Sequence, residues 1–298
     1  MLFFSRKNRP FELGPYPLER LRHNEKFLKI ESERPKISRP IPKEPINPNT
    51  FSKAIAKYLE MFSDLGKVEP SPKRAPVPDD LALRTKDIKG AGYFLDAAQI
   101  GICNMADKAW YKGVKPYNHK YAIVIAVRPG RTPETNNLAY DWVNGHEIAA
   151  AELRAFEIAV ALSEHVQWMG FDGNAHNHNN GDVDINRLSV MAGLNVRDGE
   201  ALLNPFLGKS FALAAVTTNY ELNIDKPLSA SSKNGRGIGY WLGMGSAVPG
   251  IEWGRREKRA THLSAYPLET VKKVERPTTI ILDDEVPQVP KRAEFFAR

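Results

Sequence analysis

Apolar residues recur with helical spacing in three parts of the chain. Between residues 146 and 169 they recur every three or four positions, which predicts the longest helix, with Gly170 as its stop. The same spacing predicts a second helix over residues 81–95. A third helix is predicted to begin at a cap formed by Asn49 or Thr50.

Shorter apolar runs without helical spacing predict strands. The run over residues 121–127 is uninterrupted, which is typical of a strand covered on both faces. Similar runs predict strands at residues 98–103 and 211–218, and a last short strand at 278–282. The combination predicts an α+β fold with a sheet flanked by helices.

Prolines interrupt these patterns in the first part of the chain. They remove backbone donors and bias the preceding residue to extended conformations, so the first fifty residues are predicted to hold no regular helix and to form an extended Pro-rich arm. The arm also contains many apolar residues, so we expect it to lie over a folded surface. The predicted domains are an arm over 1–48, a capping helix and linker over 49–78, and the main domain over 79–298.

The net charge of +7 does not indicate a nucleic-acid surface. The first fifty residues hold eleven Lys and Arg against six Glu, a net of +5, which leaves +2 for the rest of the chain. The excess therefore sits on the arm and not on a folded face. No apolar run approaches the roughly 20 residues of a membrane-spanning helix, and the amino terminus lacks the apolar core of a signal peptide. We expect a cytoplasmic protein without nucleic-acid or membrane partners.

Several candidate sites are weak on local grounds. His176, His178, Asp182 and Asp184 supply ligand types that suit zinc or iron, but the Gly- and Asn-rich stretch around them predicts a flexible turn over residues 173–181, so no metal site is expected. The glycines at 235–245 follow a polar linker and not an apolar strand, so a packed loop is predicted there rather than a nucleotide site.

Candidate catalytic groups are equally weak. Cys103, the one cysteine of the chain, lies in an apolar strand context and is predicted to be an inert core residue. Tyr140 and Trp142 precede the long helix, and Tyr140 could serve as a general acid only beside a cation such as Arg154. An aromatic entry to the helix is the favoured interpretation, and no catalytic residue is assigned.

One long motif carries a family resemblance. Residues 192–208 contain Ala-Gly-Leu-Asn and Asn-Pro turns, and residues 225–228 read Asp-Lys-Pro-Leu. This segment resembles the corrinoid-dependent reductases, that is, the reductive dehalogenases and epoxyqueuosine reductases, in which such turns lead into two cysteine clusters that hold iron–sulfur centres. With the opening residues 1–18 and the closing residues 239–249, the chain is similar to the degenerate, corrinoid-free N-terminal half of the fused catabolic reductive dehalogenases. The resemblance implies a nitroreductase-like fold.

The resemblance also implies where a corrinoid would bind. It places Gly193, Asn204, Pro205 and Gly208 at the lower-ligand side of the cofactor. Asn195, however, stands where the family has its second glycine, and no cysteine follows the motif, whereas a cubane cluster needs about four thiolates. No bound cofactor is therefore expected, with cobalamin as the alternative.

These departures define the predicted function. The favoured reading is a non-catalytic half that packs against a cobalamin-dependent catalytic half, or that forms a homodimer. The alternatives are a corrinoid-binding dehalogenase of halogenated aromatics with an external electron supply, and a small-molecule binding protein.

Overall fold

A four-stranded antiparallel sheet forms the centre of the fold. The computed structural model describes residues 10–41, 48–65 and 69–230. Within these residues the strands are β1 (Gln99–Asn104), β2 (Tyr121–Val127), β3 (Gly173–His176), β4 (Val196–Asp198), β5 (Ala201–Leu203) and β6 (Ala212–Thr218). The central sheet has the order β1-β2-β6-β3, and β4 and β5 form a separate hairpin.

Strand β2 is buried on both faces, as its uninterrupted apolar sequence predicts. Ile123 and Ile125 belong to the core on one face of the sheet, and Val124 and Ala126 belong to the core on the other. Successive residues of a strand point to opposite faces, so each core requires its own apolar set. The predicted bounds of this strand are confirmed to the residue.

Helices cover both faces of the sheet. They are α1 (Lys26–Glu33), α2 (Thr50–Leu65), α3 (Leu81–Phe94), α4 (Tyr140–Val143), α5 (Glu147–Trp168) and α6 (Ile185–Met191). α5 packs on one face with α3, while α6 packs on the other. The predicted mixture of helices and sheet is confirmed. α5 ends at Trp168, two residues before Gly170, whose φ of 85° is left-handed.

The expectation that the first fifty residues hold no helix is wrong. α1 forms in the stretch between Pro17 and Pro35, where no proline interrupts the backbone hydrogen bonds. The side chain of Asn24 accepts from the amide of Lys26 at the start of this helix. Contacts with the rest of the fold hold it there, because buried Glu31 forms a bidentate pair with Arg197 at 2.7 and 3.0 Å.

The predicted flexible turn over residues 173–181 is also wrong in its first part. Gly173–His176 is strand β3, which pairs with β6 at the edge of the sheet. Local glycine and asparagine content favours a turn, but pairing and burial decide strand formation. The short helix α6, capped by the Asp184 carboxylate, which accepts from the amide of Arg187 at 3.1 Å, was not predicted.

Two further predictions cannot be compared with the fold. The strand at 278–282 and the glycine-rich loop at 235–245 lie outside the described residues. In the part of the chain that the structure describes, every helix is too short or too polar to cross a membrane.

Candidate functional site

Gly193 lies where two segments of the motif touch. It follows α6 with a φ of 70°, and a Cβ atom built on it would lie 2.4 Å from the carbonyl oxygen of Lys226. Any side chain would therefore collide with backbone and would also strain Gly193 itself. The glycine is required by the close approach of the chain to itself.

The Asp-Lys-Pro-Leu segment covers the outer edge of β1. Asp225 exchanges two hydrogen bonds with Ile102 and forms an ion pair with Lys89 at 2.7 Å. The carbonyl oxygen of Lys226 contacts the Nδ1 atom of His23 at 2.8 Å, and that of Pro227 accepts from the amide of Asn24 at 2.9 Å. The segment therefore joins residues 23–24 to the sheet and protects an edge that would otherwise expose unpaired backbone groups.

Asn204 forms the centre of a buried amide network. Its side chain pairs reciprocally with that of Gln99, across 105 residues of sequence. Its Oδ1 atom also accepts from the amides of Phe206 and Leu207 at 2.9 Å each, which closes the Asn-Pro turn. The backbones of Asn204 and Gly208 exchange hydrogen bonds of 2.8 and 3.0 Å across this turn. The hydrogen-bonding groups of the turn are thus paired with other groups of the same chain.

Asn195 belongs to the same network. Its side chain is fully buried, donates to the hydroxyl of Ser189 at 2.9 Å and accepts from Asn204 at 3.0 Å. A buried polar group of this kind is stable only when it is paired. The asparagine therefore satisfies its neighbours, whereas a glycine at this position would leave them without these partners.

The four residues of the predicted corrinoid site do not fit a corrinoid. Gly193, Asn204, Pro205 and Gly208 are all buried. The amide of Gly193 donates to the carbonyl of Val190. The amides of Asn204 and Gly208 each donate to the carbonyl of the other residue, and Pro205 has no amide donor. The cleft that Gly193 lines has a volume of about 270 Å³, below the roughly 300–1,000 Å³ of pockets for drug-sized ligands. These residues present no backbone donor to a large planar ligand.

A second cluster, which the sequence only partly indicated, joins two histidines. The imidazole Nδ1 atom of buried His176 accepts from the amide of Asp182, so its Nε2 atom carries the proton and donates to the hydroxyl of Thr217 at 2.8 Å. The same hydroxyl lies 2.8 Å from the Nδ1 atom of His119. His119 stacks on the ring of Tyr117, whose hydroxyl donates to Asp182 at 3.3 Å. The five residues form a closed ring of contacts, in which Asp182 contributes both its backbone amide and its carboxylate.

Both imidazoles of this ring are poor bases. Burial lowers the pKa of His176 to about 3, with a further contribution from nearby His119. Burial also lowers the pKa of His119, although Asp172 acts in the opposite direction. Both rings are neutral at pH 7. Both nitrogens of His176 and the Nδ1 atom of His119 form hydrogen bonds. Among the described residues, no group of three or more His, Cys, Asp or Glu side chains could hold a metal ion.

Two further candidate groups, Cys103 and Arg154, are bonded within the fold. Cys103 is buried in β1, where burial raises the pKa of its thiol well above the ordinary value, so it is an inert core residue as predicted. The guanidinium of Arg154 donates to the carbonyl oxygen of Arg128 at 2.6 Å, not to the hydroxyl of Tyr140. Trp142 on α4 is 54% exposed.

Known structures resemble this chain closely. A reductive dehalogenase described with a mechanism for B12-dependent dehalogenation is 33% identical over 94% of this chain, with a TM-score of 0.74. The catabolic reductive dehalogenase NpRdhA in complex with 3-bromo-4-hydroxybenzoic acid is 33% identical over 99% of this chain, with a TM-score of 0.73. No protein-family model matches the chain, and no curated protein matches it either.

The match covers only part of the known proteins. This chain spans 39% and 41% of the two dehalogenase chains. An epoxyqueuosine reductase structure also matches, at 13% identity over 50% of this chain and 49% of that one, with a TM-score of 0.38 that is too low to support an argument.

Proposed function

We propose that this reductive-dehalogenase-like chain is a non-catalytic structural half, which packs against a cobalamin-dependent catalytic half and shapes it. Similarity to two fifths of the dehalogenase chains supports the idea of a half. In this proposal the chain is a degenerate copy of a nitroreductase-like corrinoid domain, with its Pro-rich arm laid on the surface. It acts in the cytoplasm, and it catalyses no reaction alone.

One observation carries the proposal: the residues of the predicted corrinoid site bond to other parts of the same chain. The amide groups of Asn204 and Asn195 bond to each other and to the surrounding fold, and the backbone of Gly193 is in contact with Lys226. In an active corrinoid enzyme, backbone groups at such turns have to approach the cofactor closely. The single cysteine, Cys103, cannot supply the about four thiolates of a cubane cluster.

Anaerobic reconstitution tests this function. The purified chain is incubated with hydroxocobalamin and, separately, with iron and sulfide, and then passed through a gel-filtration column. We expect a colourless protein fraction that contains neither cobalt nor iron in stoichiometric amounts. A stoichiometric complex with the visible bands of cobalamin would overturn the proposal in favour of a corrinoid-binding dehalogenase with an external electron supply. Saturable binding of a halogenated phenol without cobalamin would favour a small-molecule binding protein instead.

A further inference from the structure

Large apolar side chains remain exposed on one surface formed by α2, α4 and the first turn of α5. We call this the α2–α4 surface; it consists of Phe51, Tyr58, Met61, Trp142 and Ile148, with exposures from 40% to 54%. The parts are adjacent, because the side-chain amide of Asn49 at the start of α2 donates to the carbonyl of Trp142 at 3.0 Å. Aromatic and methionine side chains are the residue types enriched in protein interfaces.

The apolar stripe of helix α2 is wider than the part that packs on the domain. Ile55, Leu59 and Phe62 are turned inward, where Leu59 and Phe62 pack on the core that α5 forms with the sheet. Phe51, Tyr58 and Met61 lie along one side of this inward stripe and remain 40–51% exposed. Because the inward residues already pack on the domain, the exposed side of the stripe is suited to a second body.

A buried histidine marks the same surface. His146 is 1% exposed, and its Nε2 atom has no hydrogen-bond partner. The ring of Phe51 covers it edge-on, with 6.4 Å between the ring centroids. An unpaired buried nitrogen destabilises the fold, because it has lost its bonds to water without replacement. A partner that displaces Phe51 could supply a group that pairs with His146.

We infer that the α2–α4 surface is where the catalytic half docks, on a separate polypeptide or further along the same one. This inference rests on the proposed function. The matched dehalogenase chains contain three fifths of their length beyond the part that this chain spans, so an apolar surface of this fold has a large neighbour available there. By contrast, the outer edge of β1 is already bonded to Asp225 through Ile102.

Site-specific photo-crosslinking tests the location. A photoreactive phenylalanine analogue replaces Tyr58 in the tagged chain, expressed in its native host, and the matched control carries the analogue at Phe94, which is 79% exposed at the end of α3. We expect at least a tenfold higher yield of crosslinked product from position 58, with the attached peptide in a polypeptide segment that carries cysteine clusters. Attachment to a second copy of this chain, or equal yields from both positions, would overturn the inference.

Co-purification separates this inference from the function on which it rests. Cobalamin that co-purifies with the tagged wild-type chain supports a catalytic half as partner. The double variant Tyr58→Glu, Met61→Glu should then reduce the co-purified cobalamin at least tenfold, and Phe94→Glu should retain it. If the double variant retains cobalamin, the inferred location of the docking surface is wrong and the proposed function stands. If the wild-type chain retains none, both are overturned. A thermal melt confirms that the variants are folded.

Discussion

Ile102 and Asp225 are joined by two hydrogen bonds of 2.8 Å. The amide of Ile102 donates to the carboxylate of Asp225, and the amide of Asp225 donates to the carbonyl of Ile102. The pair closes the outer edge of β1. The Asp-Lys-Pro-Leu motif, which carries the resemblance to corrinoid reductases, therefore has a structural role that needs no cofactor.

Removal of the Asp225 carboxylate should destabilise the fold. Asp225→Ala leaves the amide of Ile102 without an acceptor and Lys89 without its partner, and we expect a loss of about 1–3 kcal/mol. Asp225→Asn keeps an acceptor for Ile102 but not the charge, so its loss should be smaller. Urea unfolding monitored by circular dichroism measures both. Equal stability of Asp225→Ala and wild type would show that the edge contact is dispensable.

Gly193→Ala should be more harmful than the same change at another left-handed glycine. The new methyl group would lie 2.4 Å from the Lys226 carbonyl, whereas Gly199, with a φ of 64° in the β4–β5 turn, has nothing within 4 Å of its Cβ position. Both alanines acquire backbone strain of about 1 kcal/mol. Only Gly193→Ala adds a collision, so its unfolding midpoint should be clearly lower. Equal midpoints for the two variants would contradict the close approach.

Arg187 should hold the arm on the body. Its buried guanidinium donates to the carbonyl oxygens of Arg34 and Pro35 on the arm and of Lys108, and pairs with Asp184. Arg187→Met leaves these groups unpaired, and we expect a loss of about 3–5 kcal/mol.

Hydrogen exchange checks where the Arg187→Met variant opens. Exchange should accelerate first in residues 10–41. Arg39→Ala is the matched control, because Arg39 is also on the arm but is half exposed, and its pair with Asp182 should contribute less than about 1 kcal/mol. Uniform exchange across the fold in Arg187→Met would argue against a role in arm attachment.

The sequence predicts the elements whose signals are local. β2 and α5 are long, apolar and bounded by clear stops, and the structure reproduces them within two residues. β3 and α1 were missed because long-range contacts form them: β3 pairs with β6, and Glu31 of α1 pairs with Arg197. Contacts across such distances leave no periodic pattern in the sequence.

The candidate site shows the same limit. The unusual residues of the motif could be located from the sequence, but not their partners. The pair of Gln99 with Asn204 joins a strand to a turn 105 residues later, and the contact of Gly193 with Lys226 depends on the path of the chain between them. The interpretation of Asn195 as a departure from the family pattern was available, whereas its bond to Asn204 was not.

Stability should decrease as the pH falls below about 6.5. Burial lowers the pKa of His119, His176 and His178 in the folded protein, whereas in the unfolded chain they titrate near 6.5. The unfolded chain therefore binds more protons below this pH, and the free energy of unfolding falls. For His176 the loss continues until about pH 3. Urea unfolding between pH 7.5 and 5 measures the slope.

Two variants identify the source of this pH dependence. His176→Gln removes the most strongly shifted imidazole, so its slope between pH 7.5 and 5 should be shallower than that of wild type. Thr217→Val removes the shared hydroxyl but keeps both imidazoles, so it should be less stable at pH 7.5 while the slope persists. An unchanged slope in His176→Gln would assign the acid sensitivity to other groups.

Placing glycine at position 195 should not create a cofactor site. Asn195→Gly removes the group that bridges Ser189 and Asn204 and leaves their polar atoms with fewer partners in a fully buried place. We expect a loss of at least about 1–3 kcal/mol and no gain in cobalamin binding. Asn195→Ala is the control that removes the same bonds without the added backbone freedom of glycine, and it should lose slightly less stability. Gel filtration with hydroxocobalamin and urea unfolding give the two readouts. An Asn195→Gly variant that is as stable as wild type and retains cobalamin would mean that this one side chain, and not the packing of the whole turn, keeps the cofactor out.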